Sequence, residues 1–143
     1  MARKPSYRVV APDRYLAVAP APGRVSVALD GAPVASSARA LALTEGERPA
    51  AYYLPAEDVA PGAALERSER RYACRWKGDA TYFHVRVGER LVDDGAWEYA
   101  EPPADLAPLA GHVAFDPEAF DVDASDGART EAPGGSSDGA PHA

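Results

Sequence analysis

Polar and apolar residues alternate strictly between Thr81 and Val87, with Phe83, Val85 and Val87 on one face and Tyr82, His84 and Arg86 on the other. A period of two is the mark of a half-buried strand. The same period recurs at residues 24–30 (Val25, Val27, Leu29), at 40–44 (Leu41, Leu43), and more briefly at 51–54 and 96–99. Turn signals separate these runs. Asp30-Gly31 predicts a tight hairpin with 34–37 as the returning strand, Glu45 to Pro49 turns the chain, and Gly88-Glu89 sends 90–92 back against 81–87. Asp93-Asp94-Gly95 reads as a further turn and 111–115 as a last short strand. Pro55 followed by Glu57 and Asp58 predicts one helical turn, and 63–68 is ambiguous between strand and helix. About seven or eight short strands with turns roughly every eight to twelve residues predict an all-β fold, a single compact antiparallel sandwich or barrel-like domain.

The ends of the chain differ from this middle. Pro5, Pro12, Pro20 and Pro22 predict an N-terminal arm over 1–23 that is neither helix nor central strand. The all-β domain is expected over 24–120. Residues 121–143 are acidic and rich in Gly and Ser, which predicts a disordered tail. Both ends are expected to be dispensable for folding. A length of 143 residues fits one domain with a real core.

Charge and cysteine content narrow the function classes. The net charge is −7, with +3 on residues 1–20 and −6 on 116–143, so no basic stripe exists for phosphate contacts and no nucleic-acid partner is expected. One cysteine excludes a disulfide framework and a multi-cysteine zinc site. With no apolar run near membrane-spanning length and no leader pattern, a cytoplasmic protein without a membrane partner is expected.

Candidate chemistry concentrates between Arg70 and Val87. Cys74 is surrounded in sequence by Arg70, Arg71, Arg75 and Lys77, cations that favour a thiolate, and a Cys–His pair with His84 would make a nucleophile. The competing reading is a small buried core residue. Lys77 is one of two lysines against thirteen arginines, and it precedes Gly78-Asp79, a turn signal. It reads either as a solvated turn cation or as a point charge that holds an anionic group beside the face of Trp76. Tyr53, Trp76, Tyr82, Trp97 and Tyr99 fall on different predicted strands or loops. If their faces converge with His84 and Lys77 they line a ligand pocket, and otherwise they fill the core. Glu57 and Asp58 are explained by a first helical turn. His84 and His112 lack a matching carboxylate spacing, so neither a metal nor a cofactor is expected.

The runs Tyr52-Tyr-Leu-Pro-Ala-Glu-Asp-Val59, Cys74-Arg-Trp-Lys-Gly-Asp-Ala-Thr-Tyr82, Ala96-Trp-Glu-Tyr99 and Gly111-His-Val-Ala-Phe115 resemble the family catalogued as domain of unknown function 427. The resemblance covers roughly residues 24–120. It implies a compact all-β fold similar to the β-tent folds of cereblon's ligand-binding domain and type B methionine-sulfoxide reductases, whose zinc cysteines are absent here. A nucleotidyltransferase label sometimes attached to the family finds no support in this chain, which lacks a Gly-Ser followed by spaced aspartates to hold metal ions. The leading expectation is a small-molecule-binding module for a small anionic or aromatic ligand. An enzyme using Cys74 or Lys77, and a protein-interaction scaffold, are the alternatives.

Overall fold

In the computed structural model the described residues are 6–11, 14–74 and 77–124. They form eleven strands and two short 3-10 segments: β1 (Ser6–Ala11), β2 (Arg14–Pro20), β3 (Val25–Leu29), β4 (Ala32–Ser37), β5 (Leu41–Glu45), β6 (Ala51–Pro55), β7 (Ala63–Cys74), β8 (Gly78–Val87), β9 (Arg90–Tyr99), β10 (His112–Phe115) and β11 (Asp121–Ala124). The 3-10 segments are Ala56–Asp58, where the helical turn is expected, and Ala104–Leu109. All strand pairs are antiparallel. The fold is a compact all-β domain, as the alternation requires.

Eight strands make one sheet in the order β1-β2-β5-β6-β10-β9-β8-β7, and β11-β3-β4 make a second. The short β10 joins the two halves of the large sheet. His112 and Val113 pair with Pro55 and Leu54 of β6, and Ala114 and Phe115 pair with Trp97 and Ala96 of β9. The β3–β4 hairpin turns through Asp30 and Gly31, both at positive φ (50° and 88°), as the Asp-Gly signal requires.

The large sheet is buried on both faces, so consecutive residues enter different cores. Leu54, Ala96, Val113 and Phe115 pack with Val25, Val27 and Val34 of the small sheet. Their neighbours Tyr53, Trp97 and Ala114 pack on the opposite face with Leu16, Leu43, Leu106 and Leu109. Gly95 is obligatory at this junction: a Cβ there would stand 2.8 Å from Val92 Cγ1 and 3.0 Å from Phe120 Cε2.

Three expectations need correction and one open reading is settled. The N-terminal arm is not separate, because β2 lies between β1 and β5, with Pro20 only at its end, and Leu16 and Val18 are buried. The boundary at 120 cuts through paired structure, since Asp121–Ala124 pairs with β3; the rest of the acidic tail lies outside the described residues. Residues 63–68 are strand, the start of the 12-residue β7. Asp93-Asp94-Gly95 does not turn the chain but bulges within β9. In each case a hydrogen-bonding partner distant in sequence selects a conformation that local composition leaves open.

A chain cut to residues 20–120 therefore loses β1, most of β2 and β11, and should lose its cooperative melting transition. Leu16→Ala in the full chain should cost about 2–5 kcal/mol. Urea unfolding followed by tryptophan fluorescence checks both.

Candidate functional site

Four of the aromatic residues proposed from sequence lie together in the core. Tyr53, Tyr82, Trp97 and Tyr99 lie in one cluster on the face of the large sheet turned away from β3 and β4. Tyr53 and Tyr99 stand with ring centroids 6.4 Å apart, and Tyr82 and Trp97 6.3 Å apart, both pairs tilted. Trp97 Nε1 donates to the Tyr53 hydroxyl at 3.0 Å, so the indole is buried with its one polar atom satisfied. Trp76 lies outside the described residues.

Lys77 closes one end of this layer. Cys74 and Gly78 pair across the β7–β8 hairpin, Gly78 adopts a φ of 96°, and the Lys77 backbone N–H donates to Cys74 Sγ at 3.3 Å. Only 4% of Lys77 is exposed. The solvated-turn reading is thus overturned. The side chain turns inward, where Nζ lies 3.3 Å from Glu45 Oε1 and 5.8 Å from the Tyr99 ring centroid. Burial of an ammonium demands such a partner.

Glu45 went unread in the sequence because Gly46 and Pro49 made its neighbourhood look like a turn. One signal could have found it. Leu41, Leu43 and Glu45 share a parity, and both leucines are buried on the aromatic side, so the acid ends an inward-facing row.

The third polar group of this site is the Tyr99 hydroxyl. Tyr99 is 1% exposed, and its hydroxyl is buried with no hydrogen-bond partner among the described residues. Burial is the main force raising its pKa, reinforced by the neighbouring Tyr53, Cys74, Tyr82 and Glu45. The Tyr53 phenol is raised for the same first reason, against the Trp97 hydrogen bond, which lowers it. Cys74 is a free, part-buried thiol packed against the cluster.

His84 does not join this group. Cys74 is paired at Gly78 and His84 at Glu66, six residues along β8, or roughly 20 Å at the usual strand rise. A Cys74–His84 nucleophile pair is therefore excluded. His84 instead faces two bulges. Four steps along β7 (Arg67 to Arg71) match two along β8, and four along β9 (Val92 to Ala96) match two along β8. The bulges bring Ser68 and Asp94 together across β8, with Ser68 Oγ donating to Asp94 Oδ1 at 2.5 Å. His84 Nδ1 accepts from the Asp94 backbone N–H at 3.1 Å and lies 3.5 Å from Asp93 Oδ1. Arg70 lies over the Tyr82 ring at 4.5 Å and 3.9 Å from Asp94 Oδ2. Neither Ser68 nor Asp94 was singled out in sequence, because register shifts leave no local trace. Glu57 and Asp58 pair with Arg39 at the surface, and His112 Nδ1 contacts Ala110 O.

An all-β domain with a polar triad sealed at the end of an aromatic layer is the class that these observations define. Residues 17–126 match the family model named NTP_transf_9, described as a domain of unknown function, DUF427. The chain belongs to that family. No curated protein matches it. The nucleotidyltransferase implied by the model's name calls for gathered carboxylates. Asp94 is instead bound to Ser68, and among the described residues no group of three His, Cys, Asp or Glu side chains is placed to hold a metal ion. Nor is any helix among them long and apolar enough to cross a membrane.

Two predictions follow from the aromatic layer. Trp97→Phe leaves a cavity and strips Tyr53 of its donor, and should cost on the order of 2–3 kcal/mol by urea unfolding. The raised phenols set a pH dependence. In the unfolded chain tyrosines ionise near pH ~10, whereas buried Tyr53 and Tyr99 hold their protons above that value. Their contribution is complete below pH ~10 and declines above it by about 1.4 kcal/mol per pH unit for each phenol. Urea midpoints between about pH 8 and 11 should show this fall, and Tyr99→Phe should make it shallower.

Proposed function

We propose that this domain is a small-molecule-binding module whose ligand is held at the Lys77–Glu45–Tyr99 end of the aromatic layer. One observation carries the reading: a tyrosine hydroxyl enclosed in the core without a partner among the described residues, on a ring whose centroid lies 5.8 Å from the buried ammonium of an ion pair. A buried hydroxyl left unpaired costs about 1–3 kcal/mol, and phenylalanine would fill the same space without that cost. A hydroxyl that binds a ligand accounts for its retention. The rings of Tyr53 and Tyr99 offer flat apolar walls, and Lys77 and Tyr99 offer hydrogen-bond donors. Small anionic or aromatic compounds fit that combination. Cys74, the chain's single cysteine and a free thiol, supports a reducing compartment, the cytoplasm, as its location.

The test is a thermal-shift screen of the full chain against small metabolites and nucleotides, repeated with Tyr99→Phe. The free variant should be as stable as the native protein, or more so by up to about 2 kcal/mol, and should lose the shift produced by the ligand. A free variant that is less stable by more than about 1 kcal/mol would mean that the hydroxyl already has a partner in the empty protein, and the reading would fail.

A further inference from the structure

A structural ion pair accounts for Lys77 and Glu45, but it has no use for the third group. The amine is almost wholly buried, the carboxylate stands 3.3 Å away with its own side chain 14% exposed, and the unpartnered Tyr99 hydroxyl belongs to the ring 5.8 Å from the amine. These are a nucleophile, a group able to take and return its proton, and a free donor for an oxygen that gains charge. Condensation of a primary amine with a carbonyl group needs those three functions and no others. The choice of lysine points the same way. Arginine is the usual cation of this chain, thirteen to two, and a guanidinium cannot serve as an amine nucleophile, yet lysine occupies the one buried cationic position among the described residues.

We propose that Lys77 captures a small aldehyde or ketone as an imine. This rests on the binding reading above and names the ligand class for the same position. Glu45 accepts one proton from the ammonium. The freed nitrogen lone pair forms the C–N bond while the carbonyl π pair moves onto oxygen, which receives a hydrogen bond from Tyr99 and then the proton that Glu45 has just taken, leaving Glu45 ionised again. A second proton, passed from nitrogen through Glu45 to that oxygen, lets it leave as water as the C=N bond forms. Amine and carbonyl become imine and water, with nothing oxidised or reduced. The surrounding rings suit a flat, conjugated carbonyl compound.

The test incubates the native full chain with sodium cyanoborohydride and, separately, propanal, benzaldehyde and pyruvate, followed by peptide mass mapping. Hydride from the reagent reduces any imine to a stable secondary amine. Lys4 and the amino terminus of the same molecule serve as internal references for unassisted labelling. Lys77 should be labelled at least about tenfold faster than Lys4 with one or more of the three compounds. Glu45→Gln should slow Lys77 labelling by about tenfold and leave Lys4 unchanged. Should that variant fail to fold, the ratio of Lys77 to Lys4 in the native chain decides. Lys77 unlabelled, or labelled no faster than Lys4, overturns the imine. The same compounds in the thermal-shift assay separate the two readings: a shift with Lys77 unlabelled removes the imine and keeps the binding site, while a Tyr99→Phe protein destabilised when empty removes the binding reading itself.

Discussion

The large sheet is covered on both faces, and most of the structure is answerable to that constraint. Tyr53 and Leu54, Ala96 and Trp97, and Val113 and Ala114 are consecutive pairs in which both members are buried. The pleat sends one member of each pair to each core. The side facing the small sheet is filled by valines, leucines and the Phe115–Phe120 pair at 5.6 Å. The other side has no second sheet among the described residues. Leu106 and Leu109 of a 3-10 segment cover it, and tyrosine and tryptophan rings fill the remaining depth. Rings bring polar atoms into the core, so this side alone must solve a hydrogen-bonding problem.

It solves the problem for Trp97 and Tyr53 and leaves Tyr99 open. Trp97 and Tyr53 satisfy each other. Tyr99, one ring further towards the Cys74–Gly78 turn, has no such partner, and the turn delivers Lys77 to the same place. Low polarity around the site strengthens every interaction made there, including the Lys77–Glu45 attraction and any hydrogen bond a ligand makes to Tyr99.

The bulges opposite His84 are the other departure from regular pairing. They tie three strands together through Ser68 and Asp94, and Asp94 holds a positive φ of 51° there. The Asp116 backbone N–H donates to Gly95 O at 2.8 Å, so the same bulge also anchors the connection from β10 to β11. Ser68, Asp94 and His84 Nδ1 each have a partner in this network.

Sequence alone determined the fold class, the β3–β4 hairpin and the strand 81–87. All of these follow from side-chain alternation and turn chemistry, which act over a few residues. Tertiary structure decided the rest. Residues 14–20 and 121–124 are weak strands by composition and become ordered only because β5 and β3 offer them free edges. Asp93-Asp94-Gly95 has the composition of a turn, yet pairing on both sides keeps it within β9. Lys77 has the sequence of an exposed turn, and its burial depends on Glu45, 32 residues away, having been carried to the same spot by the β5–β6–β10–β9–β8 order. Whether a cation at a turn faces water or the core is a question about its partner, and a partner distant in sequence leaves no mark on the residues around it.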